Sequence, residues 1–243
     1  MTSSTRLDDR PAVRFSSETD WAPYDFCVDG EPTGFGVEVA RELGRIAGFE
    51  PVFVTDDWSA LLDKLERREI DVVHSVGTTP TRSAYAVLSR EYHVGGVAFL
   101  TRRGHPPIRD AHDLADRVLA TVGGWDTVGF LRARYPEIDL LCVPSSEAAV
   151  RAVAEGRADA AADHADALRY HRDRVDPGLV INGRFDTYNA QHGASWRMLV
   201  RSDRPELLGT INAAIAAVPE STWHALRTAW FGQSTRDSGG DHP

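Results

Sequence analysis

Lysine is almost missing from this chain: Lys64 stands alone among 27 basic residues, the rest being arginine. That skew reads as genome composition and carries no functional message. Cysteine is scarce as well. Cys27 and Cys142 are the only two in 243 residues, which excludes a disulfide framework, and they lack metal-ligand spacing. Both sit in apolar, strand-like contexts, so buried free thiols are expected. Positive charge is in deficit, with 36 acids giving a net charge of −9. Nucleic acid is thereby excluded as a partner, because phosphate binding needs a basic surface. No apolar run approaches the roughly 18 residues that a membrane helix needs, so no membrane insertion is expected. The N-terminal ten residues have no apolar h-region and carry acids, so they do not read as a secretory signal. The chain as written is then cytoplasmic or lacks its leader, and its localisation stays open.

What is present is an ordinary globular composition, 42% apolar and 26% charged, of a length for one large or two small domains. Polar segments at 1–10 and 233–243 read as flexible termini. Between them short apolar strands alternate with helical patterns. Strands are expected at 12–16, 51–55, 70–76, 96–101, 117–122, 140–143, 158–162, 179–182 and 196–201. Helices are expected at 37–47, 59–68, 145–155 and 205–218. In the last, Leu207, Leu208, Ile211, Ala214, Ile215 and Val218 form one stripe at the helical period. This order predicts parallel sheets with helices on both faces. Gly and Pro punctuation at 102–107 and an irregular stretch at 185–193 mark two crossovers.

Several segments, taken in order, resemble the family-3 solute-binding proteins of amino-acid ABC transporters, and the related Venus-flytrap sensor domains. They are Trp21-Ala-Pro-Tyr24-Asp-Phe26, Asp29-Gly30, Gly34-Phe35-Gly36-Val37-Glu38, Trp58-Ser-Ala-Leu-Leu, Ile70-Asp71-Val72-Val73, Thr79-Pro80-Thr81-Arg82, Gly156-Arg157-Ala158-Asp159-Ala160 and Ala229-Trp230-Phe231-Gly232. The resemblance spans about residues 12–232. It implies a type II periplasmic-binding-protein-like α/β fold of two lobes joined by two crossover strands, with a ligand cleft between them. Lobe 1 is expected at 11–102 plus 191–232, and lobe 2 at 103–190. The two cysteines then lie in different lobes, where a disulfide would pin the hinge.

Such a cleft must hold a carboxylate, and the resemblance gives that task to Arg82, whose guanidinium forms two parallel charge-assisted bonds. Thr79 and Thr81 are candidate caps of the helix that follows. The family's small hydroxyl residue five positions before the arginine is replaced by Gly77, and the segment reads one residue short, which gives the role to Thr78. Trp125 stands where the second lobe of the family shows Ser or Thr, and suits a bulky or aromatic ligand. Tyr24 and Trp58 are expected as cleft walls, with Trp21 near such a position. For an ammonium, the family's spacing from Asp159 falls on His164, and a one-residue gap gives the role to Asp163, the reading preferred here. Gly36 replaces the first acid of the family's Gly-Phe-Asp-x-Asp pattern, while Glu38 keeps the second.

No nucleophile elbow, Walker loop or dinucleotide fingerprint is present. His105, His112, His164, His192 and His224 are scattered without metal spacing and most of them read as surface residues, so no metal and no cofactor are expected. One enzymatic alternative comes with the resemblance. Cyclohexadienyl (prephenate/arogenate) dehydratases resemble the same family and use a cleft acid, a role that would fall to Asp166. A ligand-sensing regulator is the other alternative. The main expectation is a monomer that captures a small anionic or zwitterionic, amino-acid-like ligand by cleft closure, recognised by a membrane permease or receptor.

Overall fold

The computed structural model describes residues 10–76 and 82–232. The chain opens with β1 (Ala12–Ser17), β2 (Asp20–Trp21), β3 (Asp25–Val28), β4 (Glu31–Thr33), α1 (Phe35–Ala47), β5 (Glu50–Thr55), α2 (Trp58–Glu66) and β6 (Val72–Val76). It continues through β7 (Ala86–Leu88), β8 (His93–Val94), β9 (Val97–Thr101), a 3-10 turn (Ala111–Leu114), β10 (Val118–Val122) and α3 (Asp126–Arg134). The remainder is β11 (Asp139–Val143), α4 (Ser146–Ala154), β12 (Ala160–His164), α5 (Ala165–Val175), β13 (Val180–Arg184), α6 (Asp186–His192), β14 (Ser195–Arg201), α7 (Pro205–Ala217) and α8 (Glu220–Phe231).

Two large sheets organise the molecule. The first runs β5-β1-β6-β14-β7, with β8 also on β14; the second runs β11-β10-β12-β9-β13. A small antiparallel sheet, β2-β3-β4, stands beside them. The expected parallel order holds for β1 with β5 and β6 and for β10 with β11 and β12. It fails at β14 and β9, which run antiparallel to their neighbours. These two strands lie next to the crossings between sheets, and each enters its sheet from the opposite end.

The first lobe boundary needs correction. β9 was expected in lobe 1, but it pairs with β12 and β13 in the second sheet. The chain therefore leaves the first sheet after β8, at residues 94–97, and not at the Gly/Pro punctuation that follows β9. The return falls between β13 and β14, as the irregular stretch suggested, although α6 fills part of that stretch.

Both sheets are covered on both faces, and the strand pleat sorts the residues. On β14, Met198 and Val200 join Phe15, Phe35, Leu43 and Ile211, while Leu199 joins Leu61, Leu65 and Val73 on the other face. On β9, Phe99 packs with Leu119, Leu131 and Phe185, while Leu100 packs with Val150, Val153 and Leu168. Each such fully buried side chain stabilises the fold by roughly 1.5–3 kcal/mol. α1 stops at Gly48, which adopts a left-handed φ of 78° and returns its N–H to Gly44 O, a conformation that favours glycine.

The cysteines are free, as expected, but neither is buried. Cys142 is exposed because β11 is an edge strand, and Cys27 lies half-buried on the small sheet.

Gly36 has a structural reason. A Cβ there would press into His74 Nδ1 and lie 2.6 Å from Ser75 Oγ. The space left by the missing side chain holds a buried polar chain. His74 Nδ1 meets Ser75 Oγ at 3.2 Å, and Ser75 N donates to the Tyr92 hydroxyl at 2.8 Å. His74 Nε2 lies 3.3 Å from Asp25 Oδ2, within charge-pairing range but off the line of a hydrogen bond. Burial pushes Asp25 well up and His74 down to about 4, so the couple is held neutral. Gly36→Ala is expected to destabilise the protein by about 1–3 kcal/mol through overpacking, seen as a drop in melting temperature. In a His74→Ser background the drop should shrink to what the approach to Ser75 Oγ costs, and an undiminished drop there would refute the clash with His74.

Candidate functional site

A cavity of about 140 Å³ opens between the two large sheets. Glu18 follows β1, and Ser75 and Val76 end β6. Gly124 and Trp125 join β10 to α3, Asp126 and Thr127 open that helix, and His164 ends β12. The cavity therefore lies at the carboxyl ends of strands, where open α/β sheets place their ligands. Trp58 is the first residue of α2; Tyr188 and His192 come from α6, and Trp196 from β14.

Arg82 stands on this wall with its guanidinium carbon 5.1 Å from the centre of the Trp58 ring. A cation over an indole face is electrostatically favourable. Burial pulls the Arg82 pKa down, and Asp126 across the cavity opposes the effect; the group stays charged. Trp125, also on the wall, meets Trp21 edge-on at 6.1 Å between centroids, joining the lobes through aromatic contact. Behind them Trp196 lies 5.1 Å from Trp21 and 4.4 Å from the His164 ring. α3 begins at Asp126 without a side-chain cap, so the free N–H groups of its first turn remain available to an anion.

Of the expected site residues, Arg82, Trp58 and Trp125 come together here. Thr78 lies outside the described residues, as do Gly77, Thr79 and Thr81. Tyr24 is not on the wall. Its ring is fully buried behind Trp21, and its hydroxyl donates to Asp166 Oδ2 at 3.1 Å. Asp163 is also off the wall. It is 1% exposed, it accepts from the His164 backbone N–H, and burial pushes its pKa up to about 7. His164 occupies the wall position that the unshifted spacing from Asp159 indicated. Burial lowers its imidazole to about 4, so the ring is neutral. His192, grouped with histidines most of which were read as surface residues, lines the cavity as well.

Asp166 sits at the start of α5, between the lobes and away from the cavity wall. It accepts from Tyr24, from His93 Nε2 at 3.0 Å and from Arg169 at 3.1 Å. Burial pushes the carboxyl up, but His93, Arg169 and Tyr24 outweigh it and hold Asp166 below its ordinary value. An ionised, three-partnered carboxylate has no proton to give a leaving hydroxyl, so the acid role considered for Asp166 does not fit its surroundings.

The sequence reading missed Glu18, Ser75, Tyr188 and Trp196. Glu18 is half-buried, and burial, with Asp20 and Asp57 nearby, pushes it up to about 8. A glutamate directly after a strand that alternates toward the cavity was the available signal. Trp196 was placed correctly on its strand, but nothing in the sequence carries that strand to the cleft.

Among curated proteins, the chain is 26% identical over 232 residues to the L-cystine-binding protein TcyJ of Escherichia coli (strain K12), covering 93% of this chain and 85% of that one. It is 24% identical to the virulence sensor protein BvgS of Bordetella pertussis over 93% of this chain but only 18% of BvgS. Among solved structures, a histidine kinase sensor domain with similarity to periplasmic binding proteins superposes with a TM-score of 0.77 at 24% identity, covering 93% of this chain and 98% of that one. The P235GK mutant of ArgBP from T. maritima gives a TM-score of 0.74 at 22% identity over 93% and 98% of the two chains. Both structures speak for the two-lobed fold. Residues 13–233 match a single family along nearly the whole chain, and the protein belongs to the bacterial extracellular solute-binding proteins, family 3.

Proposed function

We propose that the protein captures a small carboxylate-bearing, amino-acid-like solute between its lobes and presents the closed form to a membrane permease or a receptor. The carrying observation is Arg82, stacked on Trp58 at the wall of a cavity to which both sheets contribute. In this reading the Arg82 fork holds the carboxylate from lobe 1. The free N–H groups at the start of α3 meet it from lobe 2. Trp21, Trp58 and Trp125 hold the body of the ligand, and Tyr24 braces Trp21 from behind. Closure follows because the ligand touches both lobes and so binds the closed arrangement best. Membership of the family and the names of its relatives support this reading. TcyJ is named for L-cystine, and PatH of Vibrio harveyi is described as a putative amino-acid ABC transporter-binding protein. BvgS, a sensor, supports signalling as the alternative use.

The test is a melting-temperature screen with amino acids, 2-oxo acids and dicarboxylates, repeated by tryptophan fluorescence, since four indoles line the cavity. A true ligand at a hundredfold its Kd adds about 2.7 kcal/mol, a rise of roughly 5–10 °C for a chain of this size. A flat response to the whole panel in both measurements would overturn the proposal.

A further inference from the structure

On the carboxylate-capture reading proposed above, we infer that Asp126 sets the charge class of the ligand. Its carboxylate takes a cationic nitrogen of the solute, so that the cleft accepts zwitterions and turns away simple anions and dicarboxylates.

Two opposite charges face one cavity from opposite lobes. Arg82 comes from the first lobe, and Asp126 from the start of α3 in the second. They are near enough to act on each other electrostatically, and the Asp126 carboxylate also bears on Tyr188, another wall residue. They do not touch. Among the described residues Asp126 has no hydrogen bond or ion pair, and the Arg82 guanidinium has only its stack on Trp58. Asp126 is exposed, so its charge is hydrated in the empty cavity. A charge contact there gains strength as a ligand displaces the water.

The other acids of the region are placed differently. Asp163 is 1% exposed; one oxygen is held by the His164 N–H, and the other is sealed from solvent. Asp166 is spent on Tyr24, His93 and Arg169. Glu18 reaches the cavity from lobe 1, the same lobe as Arg82, and burial with Asp20 and Asp57 nearby favours its uncharged form. Among the described residues Asp126 is therefore the unpaired acid that lobe 2 brings to the wall.

The start of α3 is dual in charge. Its first turn presents free N–H groups and one carboxylate together. The N–H groups suit an anion, and the carboxylate suits an ammonium, which only donates hydrogen bonds. A zwitterion satisfies both, with its carboxylate between Arg82 and the N–H groups and its ammonium on Asp126. A solute with a carboxylate alone sets its charge beside that of Asp126 with nothing between them, and a dicarboxylate adds a second like charge. Such juxtapositions lower affinity most where water is excluded.

The experiment compares matched pairs by calorimetry on the whole protein at neutral pH. The pairs are L-phenylalanine with 3-phenylpropionate, L-leucine with 4-methylpentanoate, and L-glutamate with glutarate, and the members of each differ only by the ammonium. In the pair that binds tightest, the amino acid is expected to exceed its partner about tenfold or more. Asp126→Asn should cut that preference to about threefold or less. It should move the melting temperature by no more than about 2 °C, because an exposed side chain without bonded partners contributes little to the fold. A merely structural role would move the melting temperature and leave the ratio alone. Asp126→Lys should reverse the preference, favouring glutarate over L-glutamate. Equal affinities within the pairs, with binding lost in Arg82→Ala, would overturn this inference and leave the carboxylate-capture reading standing. A preference that survives Asp126→Asn, or that is lost in Glu18→Gln instead, would overturn it too. Failure of every compound to bind would overturn both.

Discussion

Replacing Asp71 by alanine is expected to destabilise the protein by about 3 kcal/mol, enough to lower its melting temperature by roughly 6–12 °C. Asp71 is 2% exposed and lies just before β6, where the ends of β1 and β14 meet it. It accepts from Arg14 three times, at 2.9 Å from the backbone and at 3.0 Å from Nε and Nη2. Arg201 Nη1 donates at 3.1 Å and Arg204 Nη1 reaches 3.5 Å. Removing the carboxylate leaves three guanidinium groups around an empty centre. Arg14 and Arg204 are exposed enough to rehydrate, whereas Arg201, with 13% of its side chain exposed, loses one carboxylate and keeps its two bonds to Asp203, at 2.9 and 2.8 Å. That asymmetry places the loss at the low end of the range for breaking buried pairs.

The same group predicts a pH dependence. Burial pushes the Asp71 pKa up, but the Arg14 hydrogen bonds, with the charges of Arg14 and Arg204, outweigh it and hold it below the ordinary value. A carboxyl with a depressed folded pKa stabilises the fold above its unfolded value, near 3.9, and loses that contribution as pH falls through the folded one. The stability difference between wild type and Asp71→Asn should be full near neutrality and shrink below about pH 4. Denaturation curves of the two proteins across that range test it; a difference that stays constant into acid would refute the charged role.

Arg82→Ala is expected to weaken ligand binding by roughly 2–5 kcal/mol, or about thirtyfold to several-thousandfold. Stability should fall by no more than about 1 kcal/mol, since among the described residues the side-chain contact forfeited is the stack on Trp58. The two readouts therefore separate. Arg82→Lys keeps the charge and loses the planar fork, so intermediate affinity is expected. Unchanged affinity in the alanine variant would take the carboxylate anchor away from Arg82.

Much of the scaffold was legible because its signals are local. β1, β5 and β11 and the helices α1 and α7 carry runs or stripes that the pleat and the helical period expose. α3 and α5 were missed for a physical reason. Val128, Phe130 and Leu131 on α3 make no single stripe, and α5 has Asp or Arg at five of its 11 positions. Sheet membership was not legible either. β9 reads as any buried strand, and only its pairing with β12 assigns it to the second lobe. At the cleft, Arg82, Trp58 and Trp125 were found through motif context. The choice between Asp163 and His164 turned on one residue of spacing. In a strand, one residue exchanges wall for interior, and here His164 has the wall while Asp163 has the interior.

The placement of β14 has a consequence for how the protein is made. β14 lies between β6 and β7 in the first sheet, yet it is translated more than a hundred residues after them. Until the ribosome releases that strand, the first lobe has an open slot in its sheet. The second lobe draws all five strands from the continuous stretch between β9 and β13. Domains fold as units when their chain is complete, so the lobe that comes second in the sequence is the first that can close its core.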